Sequence, residues 1–180
     1  MKKKIVICAL SIAVIICCAV GGTFAWLTTQ TSEVKNTFTI GNIDITLAET
    51  TSDFKMIPGE TIAKDPVVTV KAGSEACWLF VKVTESDNLD DFITYTVDSG
   101  WTALTGVSGV YYREVAAVSA DTSFNVLTDN KVTVLTGVTK EMMDAIKKGE
   151  ATAPTLTFKA YAVQKAGSAS ATEAWAKIPA

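Results

Sequence analysis

Chemistry needs side chains that carry protons or bind metals, and this chain brings few of them together. It has no histidine. That removes Ser-His and Cys-His nucleophile pairs, the usual general base, and His-Glu-x-x-His zinc chemistry. Of its four cysteines, Cys8, Cys17 and Cys18 lie in the first 25 residues and only Cys77 lies beyond them. Ala76 and the run Trp78 to Val81 flank Cys77 with apolar groups, so it reads as a small buried hydrophobe. The sharper alternative is an intermolecular disulfide. The densest acidic group is Asp87, Asp90 and Asp91 around Asn88. Clustered oxygens suit a hard cation such as calcium, but the Asp-x-Asp-x-Asn-Gly spacing and the later bidentate Glu are missing. A solvated turn or a helix start is the expectation there. Gly106 and Gly109 sit among Thr, Val and Ser and read as a hairpin turn, not a phosphate loop. No catalytic, cofactor-binding or metal-ligating residue is assigned.

The remaining candidates are rings. Trp78, Phe80, Trp101, Tyr111, Tyr112, Phe158 and Tyr161 could bind glycans if exposed in a row. On alternating strands such rings serve as core and cross-strand pairs. The elements that hold them read as strands. Ile43 to Leu47, Val67 to Val70, Cys77 to Val83, Val110 to Val115, Val132 to Leu135 and Leu156 to Val163 are short and rich in β-branched or aromatic residues. In the last of these, Leu156, Phe158, Ala160 and Ala162 share a face. Pro58-Gly59, Lys71 to Ser74, Asp98-Ser99-Gly100 and Asp129-Asn130 punctuate the series. Thr139 can cap a helix over Lys140 to Lys148, with Met142, Met143 and Ile146 inward and Gly149 as its stop. Thr172 to Lys177 reads as one or two further turns. The pattern predicts an all-β chain: an antiparallel β-sandwich or jelly roll with one or two short helices.

The N-terminus predicts where this sandwich works. Lys2, Lys3 and Lys4 precede an apolar run from Ile5 to Val20, and Gly21, Gly22, Thr23, Phe24 and Ala25 follow. That order is the layout of a secretory signal peptide. Thr23 and Ala25 fill the two small-residue sites of a leader peptidase, so Trp26 is the expected mature N-terminus. As a permanent anchor the run is short. At about 1.5 Å per residue it covers about 24 Å as a helix, against a hydrocarbon core of about 30 Å. A lipoprotein leader asks for a small residue before the modified cysteine, but Ile16 precedes Cys17. Membrane contact is therefore expected only through the uncleaved leader. Loss of residues 1–25 takes three of the 16 basic side chains and none of the 19 acidic ones, moving the formal charge from −3 to −6. An acidic surface repels nucleic acid and anionic lipid. The C-terminus, Ala176 to Ala180, shows neither a sorting motif nor an apolar tail, so release or capture by other proteins is expected. The expected divisions are residues 1–25 as signal peptide, 26–36 as an extended N-terminal segment and 37–180 as one sandwich domain.

Gly21 to Leu27, followed by Asn36-Thr37-Phe38-Thr39-Ile40-Gly41-Asn42-Ile43-Asp44-Ile45, resembles the start of the TasA/camelysin proteins, which leave the cell through a dedicated SipW-type signal peptidase. Pro58-Gly59-Glu60-Thr61 looks like that family's Pro-Gly-acid turn into a strand. Gly100-Trp101, Gly109-Val110-Tyr111-Tyr112, Phe158 to Gln164 and Glu173-Ala174-Trp175 look like later parts of the pattern. The resemblance implies a jelly-roll subunit of an extracellular biofilm fibre, located in the matrix or at the cell surface. Its partners would be copies of itself and other matrix proteins, with the signal peptidase engaged during export. It also implies assembly by strand donation, with a donor between Trp26 and about Asn36 whose large apolar residues are Trp26, Leu27 and Val34. Two other readings stay open: a camelysin-type secreted metalloendopeptidase and a monomeric adhesin or glycan-binding module. An inserted strand making six to ten ladder bonds at about 1 kcal/mol each gains roughly 6–10 kcal/mol. Ordering a free terminus costs about 1–2 kcal/mol per residue, so side-chain burial has to tip the balance.

Overall fold

The described residues of this computed structural model, 41–50 and 55–179, form ten strands, the longer of them with period-two patterning. They are β1 Ile45–Ala48, β2 Thr61–Ala63, β3 Val67–Val70, β4 Cys77–Glu85, β5 Ile93–Val97, β6 Thr102–Ala103, β7 Val110–Val115, β8 Thr122–Asn125, β9 Leu127–Val134 and β10 Leu156–Gln164. Helices α1 Lys140–Lys148 and α2 Ala171–Trp175 and a 3-10 turn at Leu89–Asp91 complete the set. The strands pair antiparallel in three sheets, ordered β1-β3-β8, β10-β4-β7-β6 and β2-β9-β5. The expected all-β antiparallel sandwich is the fold found. The cleavage residues Thr23, Ala25 and Trp26 and the donor residues Leu27 and Val34 lie outside the described residues.

β4 is the hub because its sequence is apolar on both sides of the pleat. Cys77, Leu79, Val81 and Val83 face the β1-β3-β8 sheet, where they meet Val68 and Val70. Leu156, Phe158, Ala160 and Ala162 of β10 pack onto the same core, as their shared face requires. Leu79, Phe80 and Val81 are fully buried, and each such side chain contributes about 1.5–3 kcal/mol. Trp78 and Phe80 point to the opposite side, into a second cluster with Leu104, Val110, Ala171 and Ala174. There α2 acts as a lid. Ser170 Oγ accepts from Glu173 N at 3.2 Å, and Glu173 Oε2 accepts from Ala169 N at 2.9 Å, a reciprocal cap that satisfies two otherwise free donors. The Trp175 ring then sits 5.3 Å from Phe80 and 5.4 Å from Tyr161.

α1 closes a third cluster. Met142, Met143 and Ile146 pack on Phe92, Val134 and Val138. Thr139 Oγ1 accepts from Met142 N at 3.3 Å, and Gly149 ends the helix at φ 75°, the cap and stop that the sequence predicts. The β2-β9-β5 sheet follows on from β1-β3-β8 at a kink. Only Val126 separates β8 from β9, and its N–H donates to the Pro66 carbonyl at 2.9 Å.

Candidate functional site

The acidic group builds a turn. Leu89 in its middle is buried, Ser86 Oγ donates to Asn88 Oδ1 at 2.8 Å, and Asn88 Nδ2 donates to the Thr152 carbonyl at 2.8 Å. The oxygen that Asn88 could offer a cation is thereby taken by Ser86, while its amide nitrogen pins the turn to the chain before β10. Among the described residues, no group of three or more His, Cys, Asp or Glu side chains gathers. Cys77 is a free thiol in the sandwich core, and burial pushes it above its ordinary pKa. A buried thiol cannot reach a partner chain's cysteine without local unfolding. The rings weighed for glycan stacking also lie in the interior. Trp78, Phe80 and Trp101 are buried, and Tyr111, Tyr112, Phe158 and Tyr161 are packed against the clusters.

Two surface features remain. The first is a cleft of 460 Å³ between the β2-β9-β5 sheet and the start of β10, lined in part by Ile62, Leu89, Ile93, Val132 and Leu156. Lys64 borders it, with Nζ 3.1 Å from Glu49 Oε1 and 5.4 Å above the Phe158 ring. Thr155 and Thr157 add hydroxyls to the lining, but no carboxylate or thiol lines the cleft beside them.

The second is a pair of sheet edges. On one side of the sandwich the chain covers itself. Asn42 accepts from Glu75 N at 3.0 Å, a Cβ on Gly41 would stand 2.6 Å from Gln164 at the end of β10, and β1 packs alongside β10. The opposite side differs. β8 ends its sheet, and β6 covers β7 only at Tyr111 and Tyr112. Among the described residues, no strand pairs with the outer edge of Thr122–Asn125 or with the side of β7 that faces away from β4 from Arg113 to Val115. One carbonyl of this edge is occupied: Asn125 accepts from Trp101 Nε1 at 2.8 Å.

Arg113, the only arginine in the chain, sits where these two edges meet. Its strand register places it opposite Leu79, so the pleat turns it inward. The guanidinium carbon lies 3.8 Å from the Phe124 ring centroid and 5.4 Å from that of Trp101. Nε is buried without a hydrogen-bond partner. Burial pulls the guanidinium below its ordinary pKa, and Asp98 pulls it back. Yet Asp98 makes no ion pair with it. Asp98 Oδ1 accepts from Gly100 N at 2.9 Å instead. Sequence reasoning missed this residue. The signal was present, since Tyr111, Arg113 and Val115 alternate on one face of a strand whose inward side is otherwise apolar.

A family model described as camelysin metallo-endopeptidase matches residues 1–76. Over that stretch the chain matches the camelysin family. The match ends one residue before β4, so it takes in residues 1–25 and strands β1, β2 and β3. It does not reach the later motifs at Gly100-Trp101, Gly109 to Tyr112 and Phe158 to Gln164. No curated protein and no solved structure matches the chain. Among the described residues, no helix is long and apolar enough to cross a membrane.

Proposed function

We propose that this is an exported structural subunit of an extracellular matrix fibre, and that its mature N-terminus joins copies by strand donation. Cleavage after Ala25 would free a segment from Trp26 to about Asn36 that contains no Gly or Pro, and so extends readily. The observation that carries the reading is that no described strand covers the outer β7–β8 side. A peptide adding there would meet unpaired N–H and C=O groups. The camelysin match over residues 1–76 supports membership of a group that leaves the cell, and the leader supports the same destination.

The size of the edge limits what main-chain pairing can do. β8 has four residues, which allows roughly 2–4 kcal/mol of ladder bonds. Ordering each residue of the arriving segment costs about 1–2 kcal/mol. Pairing of backbones alone therefore falls short, and side chains of the segment, Trp26, Leu27 and Val34 among them, must supply the remainder. The test is deletion of Trp26 to Asn36 with the cleavage site kept working. The expected product is a folded monomer that forms no fibres in electron micrographs. Fibres from the shortened chain would refute the proposal.

The description of the matching family favours one other reading, a secreted metalloendopeptidase. The chain has no histidine, so a zinc site would have to rest on carboxylates and Cys77, a poor donor set for catalytic zinc. Casein cleavage by pure mature protein, abolished by a chelator, would favour this reading over the fibre.

A further inference from the structure

The β7–β8 edge carries more than unpaired backbone. Arg113 and Asp98 are both half-buried, and each is within 3.1 Å of the position a Cβ on Gly100 would take. Neither forms an ion pair among the described residues. A half-buried guanidinium with an unpartnered Nε, its carbon 3.8 Å from the Phe124 ring centroid, is an expensive arrangement unless a carboxylate completes it. The ring contact also restrains its N–H fork before any partner arrives, so little rotamer freedom remains to be lost. The two opposite charges are no farther apart than the two-residue repeat of a strand, about 6.8 Å. An extended segment that reads acid-x-base on one face would match them both.

The chain contains such a segment. Between Trp26 and Asn36 the only charged residues are Glu33 and Lys35, which share one face of an extended strand. We propose that the β7–β8 side is the acceptor edge and that Arg113 and Asp98 set the register of the incoming segment by pairing with Glu33 and Lys35 of a second copy. This rests on the strand-donation reading and adds to it a place and an alignment. The alignment matters because Thr28, Thr29, Thr31 and Ser32 give the segment no strict apolar alternation. Without a pin, a one-residue slip would cost little. A single charged pair is well suited to fixing register. A slip by one residue would turn Glu33 and Lys35 away and leave Arg113 and Asp98 unmatched. A slip by two would place Lys35 against Arg113.

The test uses mature protein starting at Trp26, with assembly followed by light scattering and electron microscopy. Variants Arg113→Glu, Glu33→Arg and the double exchange are compared with the parent chain and with the chain lacking Trp26 to Asn36. Each single exchange is expected to raise the concentration for half-assembly about tenfold or more, and the double exchange to bring it back to within about threefold of the parent. Glu33→Arg leaves every described residue unchanged, so its effect is readable even where Arg113→Glu fails to fold. Single exchanges that assemble like the parent, or a folded double exchange no better than the singles, overturn the register pin while strand donation stands. If the deleted chain assembles as well as the parent, strand donation falls and the pin falls with it.

Discussion

Gly109 offers the cleanest test of how tightly the hub strand is held. It occupies φ +69°, and a Cβ built on it would stand 2.5 Å from the Val83 carbonyl oxygen. Its own carbonyl accepts from Val83 N at 2.7 Å. The β6–β7 turn thus presses backbone on backbone against the end of β4, and neither partner has a flexible end that could swing away. Gly109→Ala brings two penalties. The left-handed backbone costs a non-glycine residue about 1–2 kcal/mol, and relieving the overlap by shifting two strands costs about 1–3 kcal/mol more. The sum, about 2–5 kcal/mol, corresponds to a fall in melting temperature of roughly 5–15 °C for a domain of this size. Gly106→Ala in the same turn is the control. It has φ +80° and nothing within 4 Å of its added Cβ, so it carries the backbone penalty alone, about 1–2 kcal/mol. Urea and thermal unfolding of both variants, followed by circular dichroism, give the comparison. If Gly109→Ala is no less stable than Gly106→Ala, the close approach between turn and hub strand is not as described.

The thiol and the surface charges give two further expectations. Cys77 is fully buried and its thiol is pushed up by that burial. A thiol reagent should label protein that starts at Trp26 only as it unfolds, and non-reducing electrophoresis should show no disulfide dimer; rapid labelling of native protein would contradict the core placement. Asp121 is held below its ordinary pKa of 3.8, first by the Lys71 hydrogen bond and then by the Ala72 N–H. Its contribution is present above that ordinary value and is lost as pH falls through the lowered one. Asp121→Asn should therefore flatten the acid limb of stability without steepening it elsewhere, by an amount that salt reduces because the pair is exposed. Lys71 is raised above 10.5, so its share persists up to that value and is lost only as pH climbs through the raised one. An acid limb unchanged by Asp121→Asn would remove the pair from the account.

Much of the sandwich was legible because its strands obey simple alternation. Val67–Val70 and Val110–Val115 coincide with their expected bounds, and the Leu156, Phe158, Ala160, Ala162 face packs where period two puts it. The Thr139 cap and Gly149 stop of α1 were equally plain, because each residue does there what its chemistry favours in isolation. β6 and β8 escaped notice for the opposite reason. They have two and four residues, too few for a clear period, and are strands only because a neighbouring strand supplies the ladder. β9 was half seen. Asp129 and Asn130 do take left-handed turn conformations, at φ 54° and 52°, but they sit in a bulge within the strand, where Val132 still pairs with Tyr95 and Leu127 with Val97. The candidate site was hidden more deeply. Asp98 was read only as a turn former, and nothing in the sequence says that the turn holding it lies across from Arg113.

The pairing of β4 with β10 has a consequence in time. Cys77 meets Gln164 and Glu85 meets Leu156, so the most apolar strand gets its second flank from the last strand to be synthesised. Until then a nascent chain has no way to shut both halves of its interior, and contacts so distant along the chain form slowly. Such a polypeptide stays threadable until almost all of it has emerged, which is the condition a translocation channel imposes on its cargo.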